Sequence, residues 1–240
     1  MKKLTLIPLI IFITLLFSCS SDDNPTEPVG QKLEPKAPTV KTIELPEHMA
    51  QSSDPHAQMA EVWIGMANSF TAFSGLFVPP EGAKSLPKGN ALNDEGKYIW
   101  TVGPLSITLI YSSDDEYTRW KVIYNGIDNG SAYVNWVFME AEQTADGNSG
   151  TLLMYKENST ELAAKWTWNN AADGSYDCTF IDQTDAGWKL DVHENADNSG
   201  EMNFYEDVNG EFILRYKITW NADGSGAWWD YENNESGSWQ

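Results

Sequence analysis

Cysteine is nearly absent. Cys19 and Cys178 are the only two in 240 residues. One sits beside the N-terminal apolar run and the other far along the chain, so no disulfide framework is available. The body must be held by its core alone, and about 190 residues can bury one without staples. Basic residues are also scarce. Fifteen Lys and Arg stand against 35 Asp and Glu, a formal net charge of −20. Such a surface repels phosphate backbones, which excludes nucleic acid as a partner. Histidine occurs three times, as His48, His56 and His193. The chain has no H-E-x-x-H, G-x-S-x-G, phosphate-loop or dinucleotide fingerprint, so no catalytic site is expected. Acid pairs of the glycosidase kind are too common in this composition to single one out. There is no long apolar run either. Leu4 to Phe17 is the longest, short of the about 20 residues a spanning helix needs. After Met1-Lys2-Lys3 it reads as a secretory h-region.

The end of that run and the residues beyond it read Leu16-Phe17-Ser18-Cys19-Ser20-Ser21-Asp22-Asp23. The first four residues resemble the lipobox of bacterial lipoproteins: aliphatic, variable, small, cysteine. Phe17 is bulkier than usual there. The resemblance implies cleavage after residue 18 and acyl chains such as palmitate on Cys19, whose thiolate is the strongest nucleophile on the chain. Two or more acyl chains hold a protein stably on a bilayer. Ser-Ser-Asp-Asp is similar to the surface-export signal of Bacteroidota-type lipoproteins. The implied location is the outer membrane, lipid-anchored, at the cell surface. The implied division is a signal peptide over 1–18, a tether over 19–46 and a folded body over 47–240.

The tether holds Pro25, Pro28, Pro35, Pro38 and Pro46. Fully extended, it reaches roughly 80 Å. A helix is predicted from Asp54, a suitable cap, to Val78, before Pro79-Pro80. Met59, Val62, Trp63, Met66, Phe70, Phe73 and Phe77 form one apolar stripe along it, expected to face the core. The opposite face is mostly Ala, Ser, Thr, Asn and Gly, so the helix is expected to be covered over much of its circumference.

Beyond Lys97 the period changes from 3.6 to 2. Strands are predicted around residues 99, 108, 121, 136, 153, 165, 178, 190, 203, 216 and 228. Their spacing settles near about 12 residues, which leaves no room for crossover helices. The expected fold is mostly β: an antiparallel up-and-down meander of about eleven strands, curled into a barrel or half-barrel, with the amphipathic helix packed on it. This layout is similar to that of lipocalins and lipoprotein-carrier half-barrels. A transmembrane barrel is disfavoured by the tether and the short strands. Four turns recur, at Thr144–Gly147, Ala171–Gly174, Asn195–Asn198 and Asn221–Gly224. They lie on alternate hairpins, so all four should share one end of the sheet, with Gly or Asn at positive φ.

Candidate sites are few. Cys178, between Tyr176 and Phe180, reads as a buried inert thiol. Asn195, Asp197 and Ser199, and again Asn221, Asp223 and Ser225, have the oxygen spacing of a calcium loop, with Glu206 and Glu232 at the twelfth position. Turn chemistry alone accounts for the same residues, so no cofactor is expected and calcium stands as the alternative. Trp228 and Trp229 must face opposite ways. The outward one and Trp239, expected to be exposed, are candidates for ligand contact. The expected role is non-catalytic binding or carriage, with an apolar ligand on the concave side of the sheet. The alternative is a surface module that binds glycan or protein through exposed tryptophan.

Overall fold

Alternation of inward apolar and outward polar residues builds one long sheet. In a computed structural model describing residues 34–86, 95–184 and 187–240, its strands are β1 (Lys84–Leu86), β2 (Glu95–Val102), β3 (Leu105–Ser113), β4 (Tyr117–Asp128), β5 (Ser131–Thr144), β6 (Ser149–Tyr155) and β7 (Leu162–Asn170). They continue as β8 (Tyr176–Asp182), β9 (Trp188–Glu194), β10 (Gly200–Val208), β11 (Glu211–Trp220), β12 (Gly226–Asp230) and β13 (Glu235–Trp239). Every neighbour in sequence is an antiparallel neighbour in space, and β1 and β13 are unpaired edges, so the sheet is not closed. β3 shows the logic: Leu105, Ile107, Leu109 and Tyr111 are buried while the residues between them are not. Cys19 and the lipobox lie outside the described residues.

The eleven predicted strands are β2 to β12; the two edges were not foreseen. β1 has three exposed residues. In β13, Glu-Ser-Gly-Ser-Trp offers Trp239 as its one large apolar side chain. Neither carries an alternation to read.

The four recurrent turns connect β5–β6, β7–β8, β9–β10 and β11–β12, at one end of the sheet as expected. Gly147, Gly174, Asn198 and Gly224 have φ of 78, 90, 64 and 88°. Just beyond three of them a glycine lies under the indole of its cross-strand partner: Gly150 under Trp168, Gly200 under Trp220, Gly226 under Trp239. Two of these indoles cap a neighbouring turn, with Trp220 Nε1 donating to Asn198 O at 2.9 Å and Trp239 Nε1 to Gly224 O at 2.8 Å. The opposite end includes two Asn-Gly turns, Asn129-Gly130 and Asn209-Gly210, with both residues at positive φ.

A second layer covers the apolar face. Its helix runs Pro55–Ser69 and continues as a 3₁₀ helix over Phe70–Phe77. Asp54 caps it, accepting from the His56 and Ala57 amides at 2.8 and 3.3 Å. The stripe predicted to face the core does so in part: Phe77 is buried and Met59, Trp63 and Phe73 pack against the core, but Val62 is 64% and Met66 38% exposed, and Ala57, Ala60, Ile64 and Ala67 are buried instead. The reason is volume. The sheet supplies large rings, so the helix approaches it through small side chains. Trp63 leans against Trp188 and Phe204, with centroids 5.0 and 4.2 Å away. His56 stacks on Trp228 at 3.6 Å, and Phe77 meets Trp120 at 6.0 Å. The helical segment therefore crosses the strands from β12 to β4. The Phe70 side chain lies outside the described residues.

The compact unit is Leu33–Gln240, so the folded body begins before residue 47. Residues 34–46, read from composition as tether, form a strap that crosses the sheet in the other direction. Trp120 Nε1 donates to Lys36 O at 2.8 Å, and the Thr39 amide to Gln143 Oε1 at 2.6 Å. Lys41 Nζ and the Glu44 amide both donate to the buried Glu194 carboxylate, at 2.7 and 3.1 Å. Strap and helix are tied by Asn68, whose side chain exchanges two 2.9 Å bonds with the Ile43 backbone. Pro38 and Pro46 are buried. Proline has no amide hydrogen to satisfy, so a proline-rich strap can be buried with few orphan donors.

Candidate functional site

The longest hairpin, β4–β5, outruns its neighbour. The β5–β6 ladder stops at Met139↔Met154, although β5 continues back to Ser131. Bulges cause the parting. Register against β4 skips between Val122/Ile123 and between Tyr124/Gly126, and Asn135 has φ of 49°. β6 bulges in its turn between Met154/Tyr155 in its pairing with β7. Bulges bend strands and re-aim side chains. The gap is bounded on the far side by the β6–β7 loop. Lys156 and Glu161 pinch that loop through a 2.8 Å backbone bond and a 3.2 Å ion pair. Asn158, at φ 52°, reaches over to donate to Ala132 O at 3.0 Å.

The result is an open slot of about 690 Å³. Val134, Val137 and Tyr155 supply apolar wall, and Asn135, Asn158, Ser159 and Thr160 a polar rim. Val134 is 80% exposed. At the ladder end Tyr155 donates its hydroxyl to Glu140 Oε2 at 2.5 Å, and Lys121 pairs with Glu140 Oε1 at 2.7 Å. Burial works against the Glu140 charge, but the Lys121 and Tyr155 bonds outweigh it and hold the carboxyl below its ordinary range. Burial first and Glu140 second push the Tyr155 phenol up to about 12, so it stays a neutral donor at physiological pH. Behind the slot, Trp136 stacks on Tyr133 at 4.9 Å and meets Tyr124 edge-on at 5.8 Å. Its buried Nε1 has no hydrogen-bond partner among the described residues. A second groove of about 520 Å³ continues from Glu140 along the same face past Leu153, Lys121, Ile110 and Arg119. A neutral ligand with many hydroxyls meets both donors and acceptors here.

The residues predicted for ligand contact are not brought together. Trp228 faces inward under His56, Trp229 is 36% exposed on the outer face, and Trp239 is 6% exposed, buried rather than open as expected. Asn195, Asp197 and Ser199 do converge, but on one another. Asp197 Oδ1 accepts from the Ser199 amide at 3.0 Å and hydroxyl at 2.6 Å, and Asn195 Nδ2 donates to Ser199 Oγ at 3.0 Å. Asn221, Asp223 and Ser225 repeat this at 2.9 to 3.0 Å for the amides and 2.7 Å for the hydroxyl. Glu206 pairs with Arg215 at 2.7 Å toward the far end of β10, roughly 20 Å from Ser199 at the rise of a strand. Glu232 follows Asp230 in the β12–β13 turn. Neither reaches the calcium-like turns. Cys178 is buried, and its thiol pKa is pushed well above the ordinary value by that burial.

The slot residues were not anticipated, although one signal pointed to them. The predicted strand centres 136 and 153 are further apart than the regular rhythm allows. The sequence matches no family model, and no curated protein matches it.

Proposed function

We propose that this chain is an exported, lipid-anchored, non-catalytic binding module that takes a glycan on the outer face of its sheet. One observation carries the choice against an apolar carrier. The apolar face, where a carried ligand would have to lie, is occupied by the helix and the strap. Ala57, Ala60, Ile64, Ala67, Ile43 and Met49 are all buried with the strand side chains in one cluster. The slot between β5 and the β6–β7 loop lies on the other side and is open. Its size falls within the 300–1,000 Å³ typical of ligand sites.

In this reading the sheet is an open trough, a shallow half-barrel. Two rulers support that. From His56 to Phe77 the helical segment is about 36 Å long. Eight strand spacings from β12 to β4 make about 38 Å. A segment of that length fits across a shallow, open sheet. Cys19 carries the acyl anchor, and the chain ahead of the strap sets the distance to the bilayer.

Native mass spectrometry of the protein extracted from membranes tests both halves. The expected result is an acylated mass, lost in Cys19→Ser together with membrane retention, and no stoichiometric non-covalent lipid. A bound fatty acid or phospholipid that survives purification would overturn the surface-binding reading in favour of carriage.

A further inference from the structure

The strand register draws a line of cations across the waist of the outer face. Lys97 and Lys121 are joined through Ile110, and Lys165 and Lys189 through Ile181. Glu140 and Leu153 link Lys121 to Lys165. Lys97 to Lys121 and Lys165 to Lys189 are two strands apart, about 10 Å, and the middle step is about 14 Å. Between the cations stand Ile110, Leu153, Ile181 and, beyond Lys189, Tyr205. The Lys189 ammonium lies 3.9 Å from the Tyr205 ring centre. A parallel line one pair nearer the recurrent turns carries hydroxyls: Thr151, Thr167 and Thr179 on adjacent strands.

Two features separate this line from an ordinary solubilising face. Acids crowd the ends of the strands, in the recurrent turns (Asp146, Asp173, Asp197, Asp223) and at the opposite tips (Asp128, Asp207, Glu211), while Glu140 is the one acid in the line and Glu142 and Asp191 flank the threonines one pair away, Asp191 accepting the Thr179 hydroxyl at 2.7 Å. And the pairing is incomplete. Lys121 has Glu140 and Lys189 has Asp191, each at 2.7 Å, but Lys97 and Lys165 form no ion pair among the described residues. Lys165 is half-buried between Leu153 and Ile181. In a chain with more than twice as many acids as bases, a half-buried cation without a carboxylate is the exception.

We infer that the line from Lys97 to Lys189 is a track for a linear, carboxylate-bearing polysaccharide that crosses the strands and passes the slot at Glu140. This rests on the glycan-binding reading and names the class of glycan. The chemistry matches at each step. Sugar carboxylates meet Lys97 and Lys165, apolar sugar faces lie on Ile110, Leu153 and Ile181, and hydroxyls bond to the threonine line. Two strand spacings are close to the length of a disaccharide, so a chain acidic at alternate sugars matches the step from Lys97 to Lys121 and the step from Lys165 to Lys189, and the wider middle step falls at Glu140. The net negative charge slows approach, yet it is screened beyond about 8 Å at physiological salt, and the acids nearest the line, Glu140 and Asp191, are paired with Lys121 and Lys189. An acidic protein is the competing partner, and polyglutamate stands for it in the test.

The test is affinity electrophoresis of the full chain in native gels containing polygalacturonate, dextran or polyglutamate. Retardation by polygalacturonate alone, weakened in high salt, is expected. Lys165→Glu should weaken it about tenfold, the loss of one charge-assisted contact. The fold should survive, read as an unchanged near-ultraviolet circular dichroism spectrum, because Lys165 has no ion pair to lose and gives up only the packing of its stem between Leu153 and Ile181. Equal retardation by Lys165→Glu and wild type overturns the track, as does retention by polyglutamate or by no polymer. Retardation by dextran alone, diminished in the slot variant Asn158→Ala, overturns the acidic track and leaves the glycan-binding reading standing.

Discussion

Lys41→Met asks whether the strap is part of the fold. Glu194 is fully buried and receives the Lys41 ammonium at 2.7 Å and the Glu44 amide at 3.1 Å. Lys41 Nζ also lies 5.8 Å over the Tyr176 ring. Removing one partner of a buried pair leaves an uncompensated charge, at a cost of about 3–5 kcal/mol. The Lys41 side chain is 40% exposed, so water already screens the pair and the figure falls to about 2 kcal/mol. In a domain of this size that lowers the melting temperature by about 4–8 °C. Glu194→Gln keeps an acceptor for the Glu44 amide and needs no counter-ion, so the double variant Lys41→Met/Glu194→Gln should recover part of the loss. Thermal melts followed by near-ultraviolet circular dichroism suit a core this rich in tryptophan. Protease digestion gives the second readout, with new cleavage between residues 34 and 46 in Lys41→Met. A single variant that melts with wild type and resists cleavage would refute the seating of the strap.

Gly224→Val should cost about 3 kcal/mol or more. It combines φ of 88° with a Cβ only 2.7 Å from His48 Cβ and 2.8 Å from the Met49 amide. Gly210→Val, at the same φ with open space around it, should cost clearly less, and urea titration separates the two. Ala60→Leu on the buried helix face should destabilise by about 1–3 kcal/mol, while Val62→Ser on the exposed face should stay within about 0.5 kcal/mol. The opposite order in paired melts would restore the stripe read from the sequence. The carboxyls of Asp173, Asp197 and Asp223 are held below their ordinary range, first by the Ser two residues on; that of Asp146 is held there first by Thr144. Their folded values lie below their unfolded ones. The stability they contribute is present above about pH 4 and lost as pH falls through the folded values. Asp197→Asn combined with Asp223→Asn should flatten the acid limb of a melting-temperature profile. His193 runs the other way. Its bond to Asp177 raises its pKa, so its contribution is whole below about pH 6.5 and fades as pH rises through the folded value.

The sheet was legible because period-2 alternation and turn chemistry are local. Phe212, Leu214, Tyr216, Ile218 and Trp220 announce β11 without help from other strands. The helix was legible as a helix and only partly in its orientation. Trp63 and Phe77 meet the sheet as the stripe predicts, but Val62 and Met66 stay outside, because the packing limit is set by what the sheet already fills, and Ala57 and Ala60 go inside. The strap was misread because proline-rich composition looks alike in a linker and in an extended segment bound by distant partners. Gln143 and Glu194 sit about a hundred residues or more from the strap amides they hold. The slot depends on bulges at Asn135 and Tyr155, and bulges follow from a register mismatch between strands that no single strand displays. The cation line is written in no local stretch. It exists once the register sets Lys97, Lys121, Lys165 and Lys189 side by side.

The binding face is tested most directly by hydrogen–deuterium exchange of the mature protein with and without saturating polygalacturonate. Ligand on the outer face should protect amides of β5 around 132–140, of β6 and β7 around 151–167, and of the loop between them, while the helix Pro55–Ser69 exchanges unchanged. Protection confined to that helix and the strap, with β5 to β7 unaffected, would contradict an outer-face site and place the ligand between the two layers.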